Sequence, residues 1–468
     1  MGCDRRLPLV ARRRRLPPLP WLLARRAHRG QGPERPPLQR LVQRPQRLLS
    51  GLGPPRDHPG HRFRRGAAHG SGPVRLPRHR RRRRCRRGCR VRPRQARRGG
   101  ARDRRHLFPG RDRAGRPAGA HGDVTAVRVL HLAPLWLPVG RESSGGVETL
   151  LAGLLAAQHA SGCAVAVVAS GDSALPAGVE LVAPVPVALV AQMGAGTAWE
   201  YEYFEQEALA RGLERAGGFD VVHSHMGAAA FAALPGALHT WHNDVTADLE
   251  WFVGRRPQLR LTAVSEAQAR RLRAAGARRC EVVPNGIDVA QFPFHDVAGS
   301  GLAFLGRMEA EKGPDLAIAA AHALGRPLIL AGPIVDHAFF AERVVPGLGP
   351  DIEYAGVLGH DDKAELLGRS SCLLVPSRWE EAFGLVAVEA MACGTPVVAL
   401  ANGALGEVVD DDVTGFTTSD PGELADLVLC ADKLDRAAVR ARAADRFSIE
   451  RTARRYIDLY GEIAEDRW

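Results

Sequence analysis

From Val127 onward, short apolar runs alternate with longer amphipathic stretches, and the alternation occurs in two successive series. A short apolar run bounded by Gly, Pro or Asp reads as a buried strand. An intervening amphipathic stretch reads as the helix that returns the chain, which builds a parallel α/β sheet. Strands are expected at 127–133, 164–169, 179–185, 221–225, 237–241 and 261–264, then at 302–305, 327–331, 352–354, 373–375 and 396–400. Helix starts have their own signals. Ser265 followed by Gln268 three residues on spells a capping box. Pro314 suits a first turn, where its missing N–H costs nothing, and Ser419-Asp420-Pro421 does the same for 422–430. Two series of this size imply two Rossmann-like domains. The joint falls at 284–300, where Asn-Gly and two Pro break the pattern. The expected organisation is 127–290, 291–448 and a C-terminal helix within 449–468.

Residues 1–122 are of another kind. They hold 37 Arg, no Lys, 5 acidic residues and 16 Pro, for a net charge of +32, while residues 123–468 carry −18. Such composition cannot bury enough apolar surface to offset chain entropy. Arg without any Lys reads as codon bias in a GC-rich reading frame extended upstream of its true start, with a disordered tail as the second reading. A basic arm for nucleic acid is a third. The acidic remainder argues against it, so no nucleic-acid partner is expected. Eight scattered cysteines show neither zinc spacing nor a disulfide framework, which suggests a reducing cytoplasm. No run of 18 apolar residues is present. The basic stretch Arg270, Arg271, Arg273, Arg278 and Arg279 leaves open a peripheral contact with the inner membrane face, or simply a solvated helix surface.

Ligands of open α/β sheets bind at the carboxyl ends of the strands. Neither half has G-x-G-x-x-G after its first strand, which disfavours a nicotinamide or flavin domain. After the first strand comes Gly145-Gly146 and a helix start, suited to close approach of an anion, with a plain loop as the alternative. The second series opens with LGRMEAEKGPDL, in which Arg307 and Lys312 flank a turn into a helix. Two cations beside a helix N-terminus suit a diphosphate, with two solvated surface cations as the alternative. Only three Lys occur in the chain, at 312, 363 and 433, so one kept in such a loop is notable. Glu381 lies in the loop after strand 373–375, and Glu389 lies inside the following helix, with Phe383, Gly384 and Leu385 between them. Amides at that helix start and carboxylates at two distances would suit a polyhydroxyl ligand bearing phosphate. A buried Glu389 would need a partner.

Together, GRMEAEKG, PSRWEEAFGLVAVEAMACGTPVV and VPNGID resemble the retaining glycosyltransferases of family 4, which have the GT-B fold. GGVE, DVVHSH, LHTWHND, TAVSEA and GEVVDDDVTGF support the likeness in the right order across 127–468, with Ala382 where the family more often has Pro. The resemblance implies two Rossmann-like domains facing across a cleft and a nucleoside-diphosphate sugar as donor. It implies that Glu389 holds ribose hydroxyls and Glu381 the sugar hydroxyls. Arg307 and Lys312 would neutralise the leaving diphosphate, with the amides of Phe383, Gly384 and Leu385 nearby. Gly145 and Gly146 would close from the other domain, and His242 would face sugar and acceptor. His223, His225 and His239 read as core or strand-end histidines. Asp410 and Asp412 spell D-x-D, but read as solvated turn residues, so neither a metal nor another cofactor is expected. The acceptor stays open among sugar, glycan, lipid and small molecule. Rival readings are a sugar-nucleotide epimerase or phosphorylase of the same fold, a silent sugar-nucleotide binder, and a nucleic-acid binder acting through the Arg-rich arm.

Overall fold

The computed structural model describes residues 127–191 and 198–465. The Arg-rich segment 1–122 and its readings lie outside the described residues. Within them, two parallel sheets form in succession. The first has β1 (Arg128–Leu132), β2 (Ala164–Val168), β3 (Glu180–Val182), β4 (Val221–Ser224), β5 (Leu238–Trp241), β6 (Arg260–Ala263) and β7 (Arg279–Val282). Its helices are α1 (Gly146–Ala160), α2 (Ala198–Ala216), the short α3 (Ala228–Ala233), α4 (Ala247–Gly254) and α5 (Glu266–Ala274). The second has β8 (Leu302–Leu305), β9 (Leu328–Ala331), β10 (Ile352–Tyr354), β11 (Cys372–Val375), β12 (Val397–Leu400) and β13 (Gly415–Thr418). Among and after these strands run α6 (Pro314–Leu324), the one-turn α7 (His337–Phe339), α8 (His360–Arg369), α9 (Leu385–Ala392), α10 (Leu405–Val408), α11 (Leu424–Ala431), α12 (Arg436–Phe447) and α13 (Ile449–Ala464).

Strand order is β3-β2-β1-β4-β5-β6-β7 in the first sheet and β10-β9-β8-β11-β12-β13 in the second, every pair parallel. Order reverses between β1 and β4 and again between β8 and β11. Loops leaving neighbouring strands in opposite directions open a crevice there, which is where such sheets bind ligands. Both sheets are buried on two faces, and the central strands β1, β4, β11 and β12 are accordingly almost wholly apolar or small.

Expected and observed elements differ for physical reasons. β3 is shorter than the expected 179–185, because Pro184 and Pro186 lack the N–H a ladder needs. β7 (RCEV) was masked by its arginines, and β13 (GFTT) by a single apolar residue after a turn. The Ser265 cap forms, with the reciprocal bond of the box shifted back by one residue. Ser265 Oγ accepts from Gln268 N, and Gln268 Oε1 accepts from Val264 N. Ser265→Ala should lower stability by about 1 kcal/mol, as loss of an N-cap does, measured by denaturant titration.

The last helix returns to the first domain. α13 lays Ile449, Tyr456, Leu459, Tyr460 and Ile463 into the core beneath α1. Its entry is stitched to the interdomain linker, Ile287 N donating to Phe447 O and Ile449 N to Ile287 O. The two domains are also tied directly. Glu407 accepts from the Glu266 and Ala267 amides at the start of α5, at 3.0 and 2.8 Å, and Arg141 meets Asp361 at 3.0 Å.

Candidate active site

At the switch point of the second sheet, the loop after β8 carries Arg307 and Lys312, and the loop after β11 carries Ser377 to Gly384. The two loops are knitted together. Arg378 donates through its amide to Glu311 O and through its guanidinium to Ala310 O and both carboxylate oxygens of Asp315. That frame brings Lys312 Nζ within 2.5 Å of Glu381 Oε1, which also accepts from Ser377 Oγ at 2.8 Å. Lys312 Nζ sits 4.4 Å from the centre of the Trp379 ring, and the Arg307 guanidinium 5.4 Å from it. Arg307 pairs with Glu309 at 2.9 Å. Trp379 Nε1 is buried and has no hydrogen-bond partner among the described residues. Arg307, Lys312 and Glu381 therefore share one cluster, with an indole between the cations that the sequence reading passed over.

Glu389 belongs to a different pair. It is buried on α9 and accepts from Lys363 Nζ of α8 at 2.6 Å. The partner that its burial demanded is thus a lysine, not a ligand alone. Two of the three lysines in the chain are spent on the two glutamates. Between them Gly384 has φ +91° and caps the N-terminus of α9 from the left-handed region. A Cβ there would come within 2.8 Å of Leu405 Cδ2. Phe383 turns its ring inward, edge-on to Phe447 with centroids 5.6 Å apart. Only its backbone is left to serve a ligand.

A further support comes from the loop after β12. Asn402 Nδ2 donates to Ser377 O and Ala404 N to Glu381 O. Gly403 has φ +61°, and a Cβ on it would lie 2.3 Å from Glu381 O and 2.5 Å from Glu381 N. An Asn-Gly dipeptide stands at 402–403, a turn signal that could have marked this support but was passed over. Gly403→Ala should displace Glu381 and cut turnover by about ten-fold or more, since small misplacement of a reacting group is costly. Steady-state kinetics beside a melting curve would separate this from loss of fold.

In the first domain, Gly146 lies against the second. A Cβ on it would meet Leu385 Cδ1 at 3.0 Å, so the Gly145-Gly146 loop and the start of α9 face each other closely. Glu148, one turn into α1, is buried, and that burial pushes its carboxyl up to about 7. His242 follows β5 and stacks on His225, with His225 Nδ1 and His242 Nε2 2.9 Å apart. His223, His225 and His239 are all buried. Asp410 corrects the expectation of a solvated turn. It takes Arg442 Nε at 2.6 Å and Arg446 Nη1 at 2.5 Å, while Asp412 occupies a left-handed turn position at φ 63°. Of the basic stretch, Arg271 is committed to Asp244 and Glu250, and Arg273 to Glu266. No helix among the described residues is long and apolar enough to cross a membrane. A pocket of about 440 Å³ beside α1, lined by Gly153, Ala157, Leu175, Gln291 and Ile449, holds none of the candidate site residues.

Comparison with known proteins bears on this geometry. The family model described as "Glycosyltransferase Family 4" matches residues 144–291, and that described as "Glycosyl transferases group 1" matches 299–431. The D-inositol 3-phosphate glycosyltransferase of Mycobacterium tuberculosis (strain ATCC 25618 / H37Rv) is 31% identical over 394 residues, covering 70% of this chain and 80% of that protein. The chain belongs to the GT-B glycosyltransferases. This glycosyltransferase superposes on AviGT4, described as a glycosyltransferase involved in avilamycin A biosynthesis, with a TM-score of 0.57 and 26% identity over 73% of this chain and 98% of that one. It shares its fold with sucrose-phosphate synthase from Thermosynechococcus elongatus, with a TM-score of 0.59 and 22% identity over 72% and 99% of the two chains.

Proposed function

We propose that this glycosyltransferase is a retaining family 4 enzyme that moves a sugar from a nucleoside-diphosphate sugar to a hydroxyl acceptor. The observation that carries the reading is the Lys312–Glu381 pair with Arg307 at the β8/β11 switch point, where a diphosphate and a sugar would meet. Cleavage of the bond from sugar to diphosphate leaves negative charge on the β-phosphate oxygen. Arg307 and Lys312 are placed to receive that charge as it develops, together with the amides of Gly384 and Leu385 and, from the facing domain, the Gly145-Gly146 loop. Glu381 then turns from Lys312 toward sugar hydroxyls, and Glu389, already held by Lys363, takes the ribose diol. His242 serves the sugar and acceptor side. With no protein nucleophile assigned to the opposite face, the acceptor attacks from the face the diphosphate leaves.

The acceptor supplies a hydroxyl. The relative's name specifies an inositol phosphate, and a polyol or sugar acceptor of that kind is the first to try with this chain, ahead of lipid and glycan acceptors at a peripheral membrane site. Incubation with a panel of nucleoside-diphosphate sugars and such acceptors, with products identified by mass and anomeric configuration by NMR, tests the reading. A transferred sugar with the donor's configuration supports it. Inverted product refutes retention, and a C2-epimerised nucleotide sugar or phosphorolysis would favour the epimerase or phosphorylase instead.

We propose further that the reaction runs without a divalent metal. Asp410 is clamped by two arginines and Asp411 accepts from Thr417 N, so the acidic run at 410–412 is tied into the fold while two side-chain cations serve the diphosphate. Full turnover in EDTA is the expected result. Activity abolished by EDTA and restored by magnesium would contradict it.

A further inference from the structure

A single hydrogen-bonded chain leads from the half-buried His242 through buried side chains of the sheet to the C-terminal helix. His242 Nε2 meets His225 Nδ1 at 2.9 Å, and His225 Nε2 meets His131 Nδ1 at 3.1 Å. His131 Nε2 meets Gln158 Oε1 at 2.8 Å, and Gln158 Nε2 donates to Tyr460 Oη at 3.0 Å. Tyr460 Oη continues to His223 Nδ1 at 2.7 Å, and His223 Nε2 to Thr240 Oγ1 at 2.7 Å. Only one atom of His242 is left over. Its Nδ1 is buried and has no partner among the described residues.

The direction of every hydrogen bond from Gln158 to His242 follows from one group. An amide oxygen can only accept, so His131 Nε2 carries the proton facing Gln158. A neutral imidazole has one proton, so His131 Nδ1 accepts from His225 Nε2–H. In turn His225 Nδ1 accepts from His242 Nε2–H. His242 Nδ1 is then a bare lone pair. The rings are neutral because burial strips the charged form of water, holding His131 and His242 down to about 4 and His225 well below its ordinary value. Reversing the Gln158 amide would reverse every donor from Gln158 to His242 and turn His242 Nδ1 into a donor, so the setting of that stretch is all or none. His131 and His225 pair directly, while His223, bonded to Tyr460 and Thr240, packs its ring against both, so ring nitrogens of the three lie within 4.8 Å of one another.

We infer that Gln158, His131 and His225 are positioning residues that fix His242 as its Nε2–H tautomer, leaving Nδ1 to accept a hydrogen bond from a hydroxyl of the bound sugar or acceptor. The inference rests on the glycosyl-transfer reading for the ligand, not for the tautomer. An orphaned buried lone pair is costly until a donor arrives, and a hydroxyl supplies one.

Long-range proton–nitrogen NMR of the full chain labelled with ¹⁵N-histidine tests it, with His242 assigned by comparison with His242→Asn. The expected spectrum shows an unprotonated Nδ1 and a protonated Nε2 on His242 without substrate. In Gln158→Leu the His242 signals should become a mixture of both tautomers, and kcat/KM should fall about ten-fold, the value of one hydrogen bond of about 1.4 kcal/mol. Affinity for the nucleoside diphosphate should be unchanged. Loss of donor hydrolysis without acceptor would place the hydroxyl on the donor sugar, and loss only of transfer would place it on the acceptor; either supports the inference. A wild-type His242 protonated at Nδ1 overturns it even if the variant does not fold. So does an unchanged tautomer in Gln158→Leu, or stoichiometric zinc in the purified chain. A chain with the expected tautomer that transfers no sugar sinks the transfer reading alone.

Discussion

Replacement of Lys312 by Ala should lower kcat by about 10²- to 10³-fold, the range measured when one preorganised group that stabilises developing charge is removed. Lys312 is the compact cation nearest Glu381 and stands over the Trp379 ring, so its loss does two things. It takes away the charge that would receive the departing diphosphate. It also leaves Glu381, whose side chain is 11% exposed, without its cation. The second effect lowers stability as well, since a carboxylate kept from water wants a partner. Two controls separate them. Lys312→Arg keeps the charge but replaces a point charge by a planar fork, and should retain part of the activity while keeping the melting temperature. The double variant Lys312→Ala with Glu381→Gln removes the stranded charge, and should recover stability but not turnover. Activity of Lys312→Ala near that of the wild type would remove the basis of the proposed mechanism.

The second large effect is on stability in acid. His131, His223, His225, His239 and His242 are all held below their ordinary pKa, chiefly by burial. Unfolded, each titrates near 6.5; folded, burial holds His131, His239 and His242 down to about 4 and His223 and His225 well below their ordinary value. Between those values the unfolded state binds more protons, so stability falls as pH falls. From pH 7 to pH 5 each of His131, His239 and His242 costs roughly 2 kcal/mol, and His223 and His225 act in the same direction. Glu148 runs the other way. Its folded pKa is raised to about 7, so its contribution grows as pH drops, cancelling roughly one histidine. The remainder, roughly 4 kcal/mol before His223 and His225 add to it, approaches the whole stability of a domain, about 5–15 kcal/mol. The first domain, with α13 packed on it, should therefore unfold between pH 6 and pH 5. Hydrogen exchange read by mass spectrometry at stepped pH should show β1, β4, β5 and α13 losing protection together. Equal protection of these segments at pH 7 and pH 5 would mean that the histidines are reached by water and the buried network is wrong.

Much of the architecture was legible because it depends on local pattern. Buried parallel strands must be apolar, and helix starts must be capped, so the runs at 373–375 and 302–305 and the signals at Ser265 and Pro314 led to β11, β8, α5 and α6. β7 and β13 were not legible because edge strands bury less and tolerate Arg, Glu and Thr. The site divides in the same way. Spacing alone marked the Arg307–Lys312 loop and the two glutamates. What each carboxylate touches was hidden, because Lys363 arrives from α8 and Lys312 from the loop after β8, 26 and 69 residues away. The histidines show the limit most clearly. His223 and His225 read as core or strand-end residues, and His242 as a residue facing sugar and acceptor. Their linkage passes through Tyr460, 237 residues from His223, and no short-range pattern can encode it.

Calorimetric titration with the diphosphates of uridine, guanosine and adenosine tests the central claim most directly. One of them should bind the wild-type chain with a dissociation constant in the micromolar range. The same ligand should bind at least ten-fold more weakly to Lys312→Ala, and Glu389→Gln should weaken the nucleoside diphosphate without affecting inorganic pyrophosphate. If none of the three binds, or if binding is the same in all three proteins, the cations and acids at 307, 312, 381 and 389 do not form a nucleotide-sugar site.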